Sequence, residues 1–250
     1  MLSVPAYLAR IRYNGPTSLT PDTLCGIHRA HLLAVPFENL DIHQKRRISI
    51  DQDAFVHKIV EERRGGFCYE LNGAFAALLN QLGFTLSMLS CRVARDNDTE
   101  GPDFDHLALL VECEGQWLAD VGFGDSYLDP MRLEIGAEQL QDDRRFRLTP
   151  RGERLRVEKL EPNGSWKHQY SFKLAPHCLE EFAAMCDYHQ TSPESHFTRK
   201  RFCSIATAYG RVTLAGMQLI FTRNGNREEI ELGSEQEWKH ALSEHFGITL

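Results

Sequence analysis

A change of hydrophobic period at Gly83-Phe84 constrains this chain more than any other feature of its sequence. Upstream, large apolar residues recur at helical spacing; downstream, they alternate as they do in strands. Leu71, Phe75, Leu78, Leu79 and Leu82 mark one stripe of a helix expected to begin near Cys68 and to be capped by Gly83. An earlier helix is expected from Thr20-Pro21-Asp22, where a capping hydroxyl, a proline and a first-turn acid coincide, and Pro36 stops it. Another, carrying Phe55 and Ile59, is expected over 51–63 and ends at Gly65-Gly66. Beyond Phe84 the pattern predicts strands over 85–95, 106–113 and 116–121, with Glu114-Gly115 as a tight turn between the last two. Further strands are predicted over 144–148, 154–160 and 166–174, the last two joined through Asn163-Gly164. A helix over 179–188 and a polar connection over 191–195 follow. Strands over 211–214, 218–223 and 228–232, with Asn224-Gly225-Asn226 as a turn, lead to a closing helix over 234–246. Helices first and strands afterwards imply an α+β fold.

Composition narrows the function classes. With 250 residues, 42% of them hydrophobic and 25% charged, the chain can bury a substantial core. Its apolar runs are only a few residues long, so no membrane-spanning helix is expected, and the first residues lack the layout of a secretory signal. A formal charge of −7 argues against a general nucleic-acid binder, although it leaves room for a local basic pocket. Seven cysteines, odd in number and without a CxxC pair, indicate neither a disulfide framework nor a zinc knuckle and fit a reducing cytoplasm.

The chemistry is expected around Arg64-Gly65-Gly66-Phe67-Cys68. Two glycines permit a sharp turn, and a thiol at the start of a helix feels the positive end of the dipole, which favours the thiolate. Free N–H groups of the first turn can also face an oxyanion. Such a nucleophile needs a base, and the base needs an orienting partner. His106 heads an apolar strand and Asp120 ends the next one, so the Glu114-Gly115 turn brings the two near each other. Each residue alone has an ordinary reading: Cys68 as a buried hydrophobe, His106 as one of eleven histidines, Asp120 as the cap of the Gly122 turn. Together they form a consistent Cys–His–Asp set, while a zinc site has no spacing in its favour.

Arg64-Gly65-Gly66-Phe67-Cys68-Tyr69-Glu70-Leu71-Asn72 resembles the nucleophile motif of the arylamine N-acetyltransferases. Val35-Pro36-Phe37-Glu38-Asn39-Leu40, His106-Leu107-Ala108-Leu109-Leu110-Val111, Asp120-Val121-Gly122-Phe123-Gly124 and Ser192-Pro193-Glu194-Ser195-His196-Phe197-Thr198 are similar to further segments of that family, in its order. The resemblance implies an N-terminal helical bundle over 1–83 carrying Cys68, a β-barrel over 84–190 carrying His106 and Asp120, and a C-terminal α/β lid over 191–250, around a cysteine-protease-like catalytic core. It implies ping-pong transfer of acetyl from acetyl-CoA, through a Cys68 thioester, to arylamines, arylhydrazines or N-arylhydroxylamines, with no metal. By the same resemblance Phe37, Phe123 and Phe197 are candidates to line the acceptor pocket. Gly122, Gly124 and Ser126 are candidates to flank coenzyme A. Arg64 and Glu38 are expected to pair, and Arg199-Lys200-Arg201 is either a phosphate contact or a solvated run. Three rivals share the residue logic: a papain- or transglutaminase-like hydrolase, an amide synthase drawing on another acyl donor, and a binding module that has lost catalysis. No Cys-Gly-Ser-Cys-Trp signature surrounds Cys68, which weighs against the peptidase.

Overall fold

A computed structural model describes residues 2–223 and 225–250. The N-terminal part holds α1 (Val4–Arg10), α2 (Pro21–Ala34), a two-residue strand β1 (Phe37–Glu38), α3 (Leu40–His43), α4 (Gln52–Val56) and α5 (Cys68–Leu82), and α4 widens into a π-type turn over His57–Glu61. The caps are those the side chains dictate. Thr20 Oγ1 accepts the Thr23 N–H at the start of α2, and Gly83 ends α5 with φ of 99°. Every residue from Cys68 to Leu79 of α5 is buried, so this helix is the axis of the largest apolar cluster. Truncating Phe75, which is wholly enclosed there, to alanine costs about 3–5 kcal/mol.

Eight antiparallel strands follow: β2 (Thr85–Val93), β3 (His106–Glu112), β4 (Gln116–Ala119), β5 (Met131–Arg132), β6 (Glu138–Gln141), β7 (Arg144–Arg151), β8 (Arg154–Leu160) and β9 (Trp166–His177). They form one sheet in the order β5-β4-β3-β2-β9-β8-β7-β6. The Gln139 side chain joins its two edges: its amide donates to the Arg132 carbonyl and its oxygen accepts the Arg132 N–H, both at 2.8 Å. The sheet is therefore a nearly closed barrel, filled by side chains such as Leu118, Phe146, Val157, Tyr170 and Phe172. The outer face of β3 packs on α5 instead.

A short 3₁₀ turn over Leu179–Phe182 leads to α6 (Ala183–Thr191) and α7 (His196–Arg199). A second antiparallel sheet is built from β10 (Phe202–Thr207), β11 (Gly210–Ala215), β12 (Gln218–Arg223) and β13 (Asn226–Glu231), and α8 (Glu235–Phe246) covers it with Trp238, Leu242 and Phe246. Its order, β1-β10-β11-β12-β13, places Phe37 and Glu38 opposite Ser204 and Cys203.

Mixed helix and sheet is as the sequence implies. The short strands β1, β5 and β6, and the whole of β10, had no periodic signal strong enough to be predicted. The polar connection expected over 191–195 lies across the end of α6 and the loop before α7. The turn expected at 224–226 includes Asn224, which lies outside the described residues. Among the described residues no helix is long and apolar enough to cross a membrane.

Candidate active site

The turn before α5 is fixed by five buried charges. Arg64 donates from Nε and Nη2 to Glu38 at 3.0 and 2.8 Å and from Nη2 to Asp41 at 3.0 Å. Lys58 lies 2.7 Å from both Asp41 and Glu70. The other Glu70 oxygen accepts the Phe67 N–H at 3.1 Å, closing the first turn of α5 around Cys68. Burial, with the Glu38 charge, pushes the Glu70 carboxyl up to about 7 against the opposing pull of Lys58. Gly65 is required here for space, since a Cβ at that position would meet the Pro36 carbonyl oxygen at 1.9 Å.

A second network holds the histidine. His106 Nε2 donates to Asp120 Oδ2 at 2.7 Å, and both side chains are buried. The β3–β4 ladder ends at Leu109–Ala119, and extending its register would set His106 opposite Gly122, so the ion pair is a diagonal one. The other carboxylate oxygen, Oδ1, accepts from Asn72 Nδ2 and from the Gly122 N–H, each at 2.9 Å. Asn72 also donates to the Leu107 carbonyl and accepts the Val121 N–H, so a single amide of α5 ties both strands to the nucleophile helix. Behind Asp120, His28 Nε2 accepts the Asp120 N–H at 3.0 Å while Nδ1 donates to the Leu128 carbonyl at 2.7 Å, which fixes one neutral tautomer. Burial alone would raise the Asp120 carboxyl; the His106 charge and these hydrogen bonds overcome it and hold it below the usual carboxylate range.

The thiol behaves differently from the dipole argument. Burial first, then the charge of Asp120, push Cys68 well above the ordinary thiol value, and the Leu107 N–H opposes them only in part. The side chain is only 3% exposed. A thiolate there requires proton transfer to a neighbouring base.

Cys68 and His106 line the same cavity of about 550 Å³. Phe37, Phe123, Phe197, Gly122 and Gly124 line it too, whereas Asp120 stands behind His106. Phe197 is the hub of the aromatic wall, with ring centroids 6.0 Å from Phe37, 5.7 Å from Phe67 and 5.1 Å from His189. Phe123 meets the His106 ring edge-to-face at 5.2 Å. Gly122 can carry no side chain, because a Cβ would lie 2.8 Å from the Cys68 Cα. Ser126 departs from expectation: it is outside the lining, and its hydroxyl donates to Gln169 Oε1 at 2.6 Å. The Arg199-Lys200-Arg201 cluster is divided. Arg199 donates to the Pro193 and Glu194 carbonyls and Arg201 pairs with Glu235 at 2.7 Å, leaving Lys200 on the cavity wall. Tyr69 is fully buried and donates to the Phe104 carbonyl.

A wider groove of about 1040 Å³ adjoins this cavity, and Asp125 borders both. Arg144, Lys159 and Arg211 line it around Asp125. Among the described residues no cluster of three His, Cys, Asp or Glu side chains could hold a metal ion.

A thiol at a helix start, an imidazole held by a buried aspartate and a nearly closed barrel beside them form an arrangement suited to acyl transfer. The family model described as N-acetyltransferase matches residues 20–250. Arylamine N-acetyltransferase 1 of Homo sapiens is 34% identical over 275 residues, covering all of this chain and 95% of the relative. Arylamine N-acetyltransferase of Escherichia coli K12 is 32% identical over 246 residues, covering 97% of this chain and 87% of the relative. The structure of the Mycobacterium marinum arylamine N-acetyltransferase in complex with CoA superposes with a TM-score of 0.91 at 32% identity, covering 98% of this chain and 93% of that one. The chain belongs to the arylamine N-acetyltransferase family.

Sequence reasoning missed Asn72, His28, Lys58, Asp41 and Glu70 as supports of the site. Asn72 was within reach, since it sits four residues after Cys68 and hence on the same helix face. Glu70, three residues after the Phe67 cap, fits a capping pattern. His28, ninety-two positions from Asp120, carries no local signal.

Proposed function

We propose that this chain transfers acetyl from acetyl-CoA to an arylamine, arylhydrazine or N-arylhydroxylamine in two half-reactions, with Cys68 as the carrier. In the first, the Cys68 proton passes to His106, whose Nδ1 is the ring nitrogen left free by the Asp120 bond. The sulfur attacks the acetyl carbonyl, and N–H groups of the first α5 turn face the developing oxyanion. Collapse breaks the bond to the coenzyme A sulfur, which leaves with the His106 proton, and the acetyl stays on Cys68 as a thioester. In the second, the acceptor nitrogen attacks that thioester and the Cys68 thiolate is expelled. The nitrogen gives its proton to His106, which returns it to Cys68 for the next cycle. Asp120 orients His106 throughout and stabilises its charged form.

Phe37, Phe123 and Phe197 form the acceptor's aromatic wall in this reading, and the Gly122 and Gly124 backbone flanks the acyl end of the donor. The cationic groove beside Asp125 supports a donor bearing phosphates. The architecture reads as a helical part over 1–83, a barrel over 84–190 and a lid over 191–250 that brings Phe197 to the cavity. Free cysteines throughout the described residues support a cytoplasmic setting.

One observation carries the reading: Cys68 shares a cavity wall with His106, and His106 Nε2 is bonded to buried Asp120 at 2.7 Å. The test is intact-protein mass after mixing with acetyl-CoA, then with an aminobenzoate or a hydrazide. The expected result is a single acetyl on Cys68 that vanishes as the acetylated amine appears. Absence of the adduct, together with Cys68-dependent cleavage of peptide amides, would move the chain to the hydrolases.

A further inference from the structure

Asp125 stands where the catalytic cavity and the wider groove meet, and cations from three strands converge on it. Lys159 Nζ of β8 lies 3.3 Å from Oδ2. Arg144 Nη1 of β7 and Arg211 Nε of β11 each lie 3.6 Å from Oδ1. These separations are long for ion pairs, and one carboxylate serves three cations. Of the other acids lining the groove, Asp142 is 3.0 Å from Arg29, Asp143 is exposed on the turn between β6 and β7, and Glu161 directly follows β8.

Arg211 shows that the arrangement is incomplete. Its side chain is only 13% exposed, Nη1 donates to Ser204 Oγ at 2.9 Å and Nη2 donates to the Gly124 carbonyl. Its Nε, buried, has no hydrogen-bond partner. A buried guanidinium in the wall of a groove, with an Nε that makes no hydrogen bond and reaches Asp125 only at 3.6 Å, leaves a donor for a further anion. The Asp125 side chain, 59% exposed, lies within 3.6 Å of all three cations, and of the three only Lys159 donates a hydrogen bond to it, at 3.3 Å.

We propose that Asp125 is a resident counter-anion of the donor's phosphate site, which any incoming phosphate must displace or sit beside, so that it weakens and grades the affinity for phosphate-bearing donors. This rests on the reading in which the donor is a coenzyme A thioester lying in the groove. Without a donor, the carboxylate offsets part of the repulsion among Arg144, Lys159 and Arg211. With one, it is a like charge a few ångströms from the phosphates and lowers their affinity. The neutral amide of similar shape removes that repulsion and keeps the volume.

The test compares acetyl-CoA with the acetyl thioester of N-acetylcysteamine, which has the same reacting group and no phosphate. Asp125→Asn is expected to raise the ratio of their kcat/KM values, acetyl-CoA over the short thioester, by about tenfold at low salt. Added NaCl should shrink that gain. Arg211→Met, with folding verified by thermal unfolding, is expected to lower the same ratio. Inorganic pyrophosphate should compete with acetyl-CoA but not with the short thioester, and more tightly in Asp125→Asn. A ratio unchanged or lowered in Asp125→Asn overturns the proposal, as does a salt-independent increase. Acetylation of Cys68 by the short thioester reads the nucleophile separately, so a failure of the covalent mechanism is distinguishable from a failure of the counter-anion.

Discussion

Two networks hold Cys68 and the His106–Asp120 pair, and they are built from different materials. The nucleophile turn rests on five buried charges, Glu38, Asp41, Lys58, Arg64 and Glu70, which link β1, α3 and the turn after α4 to the first turn of α5. The histidine side has one ion pair, His106–Asp120, and is otherwise held by neutral groups: Asn72, His28 and the N–H of Gly122. Buried charges bind strongly only as a complete set, so the first network concentrates its effect on folding. Neutral hydrogen bonds around one carboxylate fix a geometry at smaller cost, so the second concentrates its effect on the reaction. The two supports should therefore separate when broken: one in stability, the other in turnover.

The largest expected effect breaks the histidine side. Asp120→Asn replaces the carboxylate with an amide that cannot stabilise an imidazolium, and kcat should fall by about 10³–10⁴ while the melting temperature moves little. Saturation kinetics with a fixed arylamine read the first part and calorimetry the second; turnover within tenfold of normal would remove Asp120 from the triad. The matching break on the nucleophile side is Arg64→Met. It leaves Glu38, fully buried, without its guanidinium partner, and stability should drop by about 3–5 kcal/mol in denaturant unfolding. If that variant unfolds at the normal midpoint and instead loses turnover alone, the division between the two networks is wrong.

The charged side should also respond to pH where the other does not. Glu70 is raised from its ordinary value of 4.5 to about 7 by burial, so the folded state binds its proton more tightly than the unfolded chain does. Its contribution to stability is then fully present below about pH 4.5 and is lost as pH rises to about 7. Glu70→Gln, fixed in a neutral form, should flatten this part of the stability curve between pH 5 and 7.5. Parallel curves for the two proteins would show that another group titrates there.

The difference also explains what the sequence reveals and what it conceals. That Cys68, His106 and Asp120 stand close together was legible because each sits at an element boundary with glycines or a tight turn beside it, and turn chemistry is local. The long helix α5 and the ladder through Glu114-Gly115 were legible for the same reason. β1 was not, because two residues have no period, and its partner β10 lies more than 160 positions away. Lys58 and Asp41 read as surface charges on amphipathic segments, and only the fold brings them under α5. The same holds for the thiol: the helix start beside Cys68 is visible in the sequence, and the depth of burial that raises its pKa is not.

The smallest expected effect sharpens the comparison within the histidine side. His28 touches neither Cys68 nor His106; it accepts the Asp120 N–H, donates to the Leu128 carbonyl and lies parallel to the Tyr127 ring at 6.0 Å. Burial keeps it neutral by lowering its pKa, which suits an Nε2 that must accept. It acts through Asp120 as a positioning residue. His28→Phe keeps the ring packing but leaves the Asp120 N–H and the Leu128 carbonyl unpaired, so kcat should fall by about tenfold, equivalent to about 1–2 kcal/mol. The KM for acetyl-CoA should stay near normal, because no donor contact is lost. His28→Gln, whose carbonyl can still accept the Asp120 N–H, should recover part of the rate. A purely structural role would lower the melting temperature of His28→Phe with kcat intact, and His28→Gln would then show no recovery in kcat to measure.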